Sequence, residues 1–348
     1  MIALRNHPAV TALLPVGSRR RATAVALARR MHRGSVPAPR PTDRSHAVRR
    51  EERKLRKAWA HHDPEMLDLY LVSGFQDPRV NVQSVLARHL LVRALFGSAF
   101  DQLMRDELAF VVEINEAMRL RAREEGISLT STTRPERQAD VQRVMGEFDV
   151  QASTYAEKWR RALSDRRARR LKVIELACGS ANDYRALDQY GIAPFLDYTG
   201  IDLNTNNIEN AKRRFPDVDF RVGSMLSLPM PDRSFDYVLA FDIFEHLSLA
   251  AMQEALDEAV RLSRRGLYIA FFRMADIPEH VEEPVRSYHF NTLSAPLIRG
   301  YFEQRYPTVD LVHIPTFLHE GFGYKHSYNK RAYSLVAQRR HGFRLPRP

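Results

Sequence analysis

Cysteine is almost missing from this chain. Cys178 is the only one in 348 residues, which excludes an internal disulfide and any Cys-based zinc cluster. Long apolar runs are missing too. No stretch approaches the ~18 uncharged apolar residues of a membrane helix, so a soluble, cytoplasmic protein is expected. Acidic residues are absent from the first 42 positions, Asp43 being the first. What is present is 44% hydrophobic residues, ample for a packed core, in a length that suggests two units.

The net charge of +11 is unevenly placed. Residues 1–57 hold 15 Lys/Arg against Asp43, Glu51 and Glu52, a balance of +12, and leave the rest of the chain at −1. The basic character therefore belongs to an N-terminal arm. The arm reads first as a flexible, solvated tail. Its alternatives are a phosphate-binding segment for nucleic acid or an anionic surface, and a transit peptide.

Residues 46–126 read as helix. Val82, Val85, Leu86, His89, Leu90 and Phe96 recur at three- and four-residue steps, and so do Leu108, Val111, Val112, Ile114 and Met118 in a second run. Leu67 to Val72 form an earlier apolar run before a turn at "SGFQDPR". The polar stretch 124–138, with Gly126 and Pro135, is the linker candidate. Beyond Arg170 the texture changes. "LKVIELA", "YTGIDL", "VDFRVG", "FDYVLAFDIF" and "RGLYIAFF" alternate with helical stretches, the βαβ pattern of a parallel sheet covered by helices. Their continuous apolar runs suit strands buried on both faces. The expected organisation is an arm over 1–57, a helical region over 58–135 and an α/β domain over 136–340.

Ligands of open parallel sheets sit at the carboxyl ends of the strands. The first strand ends in Glu175 and runs into "ACGSA", with Asn182 as the expected helix N-cap. Asp202 ends the second strand, 23 residues after Gly179, where an acid accepts both hydroxyls of a ribose. A G-x-G-x-x-G dinucleotide fingerprint would need its last glycine at 182, where Asn182 stands. A G-x-G-x-G spacing falls on Ala177, Gly179 and Ala181, all small, with Gly179 suited to positive φ. That loop fits a nucleoside without a diphosphate, which points to S-adenosylmethionine.

Here the sequence resembles the class I (Rossmann-like) S-adenosylmethionine-dependent methyltransferases over roughly residues 145–338. "VIELACGSA" is similar to their first motif, with alanines for glycines at 177 and 181, and "YTGIDLN" to their second. "FRVGSMLSLPMPDRSFDYVLAFDIFEHL" is similar to the adenine-side segment and fourth strand, and "LSRRGLYIAFF" to the fifth. "FDVQASTYAEKW", with Tyr155, resembles the short helix that often covers the cofactor; "TVDLVHI" and "AYSLVAQRR" resemble the closing antiparallel strands. The resemblance implies a mostly parallel seven-stranded sheet with helices on both faces, joined to an N-terminal helical region without a recognised counterpart. It places Glu175 near the methionine part of the cofactor, by way of water or backbone. Ala177 and Gly179 would form the loop and Asp202 would hold the ribose. Leu203 would pack on adenine, and Met225 would lend a backbone N–H. Ser224 stands where the family often has an adenine-binding Asp. Phe241 would line the methyl-transfer cleft with Asp242.

Candidate bases are His246 in "FEHL", Asp242, and His289 in "SYHFN". Cys178 reads as a small filler, since no activating base is adjacent. His313, His319, His326 and Glu320 lack the spacing of a metal site, so none is expected. "GFGYKHSYNKRAYSL" reads as a glycine-bearing hairpin on the sheet edge, or alternatively as a pocket wall. The fourth strand ends in "FDIF" instead of an (N/D)-P-P-(Y/F) tetrapeptide, which disfavours a nucleobase amino group as acceptor. O-methylation of a small molecule, sugar or lipid-linked acceptor is the leading expectation (EC 2.1.1.-). Methylation of RNA or protein guided by the basic arm is the alternative, and a non-catalytic scaffold a third.

Overall fold

In the computed structural model, which describes residues 48–53, 77–127, 135–285, 288–327 and 329–340, the apolar runs after Arg170 are strands. The early apolar run 67–72 and all of the basic arm except 48–53 lie outside the described residues. After a short helical segment at 48–53, the described residues hold four helices before the sheet: α1 (Val82–Phe96), α2 (Asp101–Glu124), α3 (Pro135–Glu147) and α4 (Asp149–Leu163). The α/β part then runs β1 (Leu171–Leu176), α5 (Asn182–Gln189), β2 (Leu196–Asp202), α6 (Thr205–Arg214), β3 (Asp219–Val222), β4 (Phe235–Phe241), α7 (Leu249–Leu262) and β5 (Ser263–Phe271). Four two-residue strands follow, β6 (Met274–Ala275), β7 (Pro284–Val285), β8 (Tyr288–His289) and β9 (Leu293–Ser294). The chain closes with α8 (Ala295–Glu303), β10 (Thr308–His313), α9 (Ile314–Phe322) and β11 (Tyr333–Gln338).

The seven-stranded sheet has the order β3-β2-β1-β4-β5-β11-β10. β1 to β5 pair in parallel, and β11 runs antiparallel to both β5 and β10. The chain order reverses beside β1, so β1 and β4 frame the crevice where such sheets bind ligands. Alternate residues feed two cores: Val173, Tyr198 and Leu239 pack with α1, α2 and α4, while Ile174, Ile201 and Val238 pack with α7 and α8. This is why the strands lack polar alternation.

The N-terminal helices share the first of these cores with the sheet. Asn81 caps α1, its side chain accepting from the backbone N–H of Gln83 and Ser84. The heptad-like reading gave α1 one apolar face, yet Ala87, Arg88, Leu91 and Val92 are buried as well. A helix buried all round must lie between two layers, here the sheet and α2 with α4.

Two local expectations are corrected. Asn182 does not cap α5: the left-handed residue Ala181 (φ 65°) holds that position, and Asn182 is the first helical residue. The stretch taken for a hairpin begins as the end of α9, which has Pro315 in its first turn and stops at Gly323 with φ 67°. Proline is preorganised for a helix start and a left-handed glycine for its stop.

Candidate active site

β1 hands over to α5 through a loop that alternates into left-handed backbone at Ala177 (φ 57°), Gly179 (φ 53°) and Ala181 (φ 65°). Glycine adopts this region freely, whereas each alanine there is strained by about 1–2 kcal/mol. The small-residue spacing therefore marks the backbone's turns. A Cβ built on Gly179 would meet nothing within 4 Å, so the loop has open space on its ligand side. Cys178 faces inward, 4% exposed, with its backbone N–H donating to the Ile201 carbonyl at 2.9 Å. Burial pushes its thiol pKa well up, which removes it as a nucleophile.

Asp202 stands at the neighbouring strand end. Its Oδ2 accepts from Gly179 N–H at 2.9 Å, and its Oδ1 accepts from Asn204 N–H at 2.7 Å and from Asn207 Nδ2 at 3.3 Å. Burial raises its pKa, and these donors oppose the rise. Oδ2 keeps a lone pair for a hydroxyl. Glu175 is 2% exposed and accepts from the Tyr198 hydroxyl at 2.6 Å. Burial, then the charge of Asp183, raises its pKa well above the usual carboxylate range. Asp183, missed in the sequence, is pushed up to about 6 by burial against the pull of Ser84, Arg88 and Arg185. Three carboxyls thus crowd the loop, and a cationic ligand would relieve their mutual repulsion. Open space beside Gly179, the carboxylate at the end of β2 and this acidic wall fit S-adenosylmethionine, which Glu175, Ala177, Gly179 and Asp202 would hold.

The other expected contacts are placed as follows. Ser224 Oγ accepts from Leu226 N–H at 3.3 Å in a local turn. Met225 is buried in the α7-side core, and half-buried Leu203 packs against it. Phe241 lines a small void with Ser84, Arg88 and Asp183. Tyr155 packs against Phe110 within the helical layer, the tilted rings 4.7 Å apart at their centroids.

At the end of β4, Asp242 takes a left-handed φ of 47°, strain of the kind that collects at functional sites. His246 Nε2 lies 3.5 Å from Asp242 Oδ1, its Nδ1 lies 3.3 Å from the His289 carbonyl, and its ring stacks on Phe290 at 5.7 Å. Burial alone would lower the His246 pKa, but Asp242 and Glu245 lift it to about 9. His246 is therefore an imidazolium at neutral pH. Glu245 is fully buried and accepts from Phe272 N–H at 2.6 Å and Arg273 N–H at 3.1 Å. Burial and the Asp242 charge push it up to about 7.

The His289 ring faces away from this pair, toward Glu282 (3.5 Å) and Glu51 (3.9 Å). Glu51 comes from the helical segment 48–53 and accepts from Ser248 N–H at 2.7 Å. No sequence pattern reports this contact across 197 residues. Glu245, by contrast, sits inside "FEHL" and was within reach.

Residues 173–266 match a family model described as a methyltransferase domain. A demethylmenaquinone methyltransferase of Thermotoga maritima is 30% identical over 132 residues, 38% of this chain and 56% of that protein. A probable S-adenosylmethionine-dependent methyltransferase of Mycolicibacterium smegmatis is 32% identical over 98 residues, 27% of this chain and 34% of that one. The chain spans about half the length of the first curated relatives it matches. Among solved structures, a magnesium protoporphyrin IX methyltransferase of Synechocystis with bound S-adenosylmethionine aligns over 58% of this chain and 83% of its own, at 15% identity and a TM-score of 0.36. The matched segment begins in β1 and ends in β5, so residues 173–266 carry a methyltransferase domain of the class I, Rossmann-like kind, whose cofactor is S-adenosylmethionine.

Proposed function

We propose that the protein transfers a methyl group to an oxygen of a small molecule. The observation that carries this reading is the Asp242–His246 pair at the end of β4, on the strand next to the one feeding the cofactor loop. S-adenosylmethionine supplies an electrophilic methyl group on a sulfonium. A new O–CH₃ bond forms as the S–CH₃ bond breaks, and its electron pair stays on sulfur.

His246, charged at neutral pH, is not the group that takes a proton from the acceptor. With Nε2 toward Asp242 and Nδ1 toward the His289 carbonyl, its imidazolium instead supplies a fixed positive charge at the end of β4 that stabilises an ionised acceptor oxygen. Acceptors with an acidic O–H, such as phenols, enols or carboxylic acids, are then favoured, because they reach the site ionised. Asp242 positions His246 and keeps it charged. The name demethylmenaquinone methyltransferase among relatives supports a small-molecule acceptor.

The test is a tritium-methyl transfer screen against a lysate fractionated into small molecules, lipids, glycans, RNA and protein. Label is expected in the small-molecule or lipid fraction. Label confined to RNA or protein overturns the acceptor class.

A further inference from the structure

A cavity of about 710 Å³ lies away from the cofactor loop, between α2, α3 and α9. Its volume is in the range that encloses a small ligand. Val112, Met118, Met145, Ile314 and Leu318 form apolar walls, and Arg119, Arg123, Lys325 and Lys330 also line it. No Asp or Glu does, among the described residues.

The charge balance decides what such a chamber takes. Arg119 is paired with Glu116 at 2.5 Å. Arg123, Lys325 and Lys330 have no ion-pair partner among the described residues. These three are exposed, so they form a cationic rim that favours an anion at the mouth, while the walls favour a hydrophobic body. A neutral apolar ligand would leave the cations unmatched, and a cationic one would add to them.

The chamber also adjoins the catalytic half of the sheet. Gln83 lines it, and Gln83 Nε2 donates to the carbonyls of Phe271 (3.2 Å) and Tyr333 (2.7 Å) at the sheet's ligand edge. The next residue, Ser84, hydrogen-bonds Asp183 beside the cofactor loop. The start of α1 is thus a common wall.

We propose that this cavity binds an amphipathic anion, a carboxylate or phosphate monoester on a hydrophobic body. Methionine and leucine walls adapt to such a body, and the Lys/Arg group holds the head. Binding here stands apart from which group is methylated.

The test titrates the full chain with dodecanoate, dodecyl phosphate, dodecanol and dodecyltrimethylammonium, each below its micelle concentration, by calorimetry. Saturable one-to-one binding of dodecanoate or dodecyl phosphate is expected, at least tenfold tighter than either other probe. Preference between the two anions tells a carboxylate source from a phosphate one. Lys325→Glu with Lys330→Glu, both exposed, should weaken the anion at least tenfold and leave S-adenosylhomocysteine binding unchanged. Leu318→Trp should abolish binding by filling the chamber. Equal binding of the cationic or neutral probe, or unchanged anion affinity in the charge-reversed or Trp variant, overturns the proposal. Retained S-adenosylhomocysteine binding shows that each variant is folded.

Discussion

Gly179 N–H donates to Asp202 Oδ2 at 2.9 Å, so the acid proposed to hold the ribose also fixes the loop between β1 and α5. Asp202→Ala should remove both functions and leave the two cores intact. Hydrogen bonds to a charged group contribute about 1.5–3 kcal/mol each, so S-adenosylhomocysteine should bind about 100-fold more weakly or worse. Its thermal stabilisation should vanish while far-UV circular dichroism is unchanged. Full stabilisation of the variant by the ligand would falsify this assignment of the site.

Much of this site was legible because it is local. The β1–loop–α5 turn and the Asp202 strand end are written in runs of apolar residues followed by small and polar ones, and burial on both faces makes such runs continuous. Glu51 against Ser248, or Glu107 against Trp159, are pairings over long separations that no periodicity reports. The α9 helix is hidden for another reason: the glycines at its end, Gly321 and Gly323, read as those of a hairpin, and Gly323 instead stops a short helix with φ 67°. All-round burial of α1 over Val85–Val92 is likewise set by what packs on its far side.

Ala177 and Ala181 carry the loop's strain, which predicts an unusual response to glycine. Ala→Gly ordinarily destabilises through unfolded-state entropy, by about 0.4–1 kcal/mol. At φ 57°, relief of the left-handed clash, about 1–2 kcal/mol, outweighs that loss. Ala177→Gly should therefore be neutral to about 1 kcal/mol more stable in urea unfolding, while Ala186→Gly inside α5 should lose about 1 kcal/mol. Equal losses in the two variants would remove the strain argument.

His246, lifted to about 9, should show that value directly in a proton NMR titration of its ring. Its folded pKa is above its unfolded value of 6.5. The pair's stabilisation is then fully present below about pH 6.5 and is lost as pH rises through about 9. Asp242→Asn should bring the titration down by at least a unit. If the imidazolium holds the acceptor oxyanion, kcat/KM falls above pH 9 in the wild type, and that fall moves toward neutral pH in the variant. A limb that stays near pH 9 in Asp242→Asn would detach His246 from the reaction.

Glu107 provides the sharpest stability test. Arg88 and His89 from α1 and Trp159 from α4 all donate to this one fully buried carboxylate, at 3.1 and 2.5 Å from Arg88 Nε and Nη2, 2.6 Å from His89 Nε2 and 2.8 Å from Trp159 Nε1. Burial alone would raise Glu107, but Arg88 and His89 bring it down to about 2. Burial keeps His89 neutral, so its Nε2 carries the proton that the carboxylate accepts. Glu107→Gln keeps the shape but leaves Arg88 buried without its counter-charge, which should cost about 3–5 kcal/mol. The sign with pH follows from the lowered pKa: the wild-type contribution is complete above the unfolded value of 4.5 and is lost as pH falls toward 2. Urea unfolding at pH 7 and pH 3 should therefore show the gap between wild type and Glu107→Gln narrowing in acid. A gap that is constant with pH would mean that the glutamate acts through packing alone.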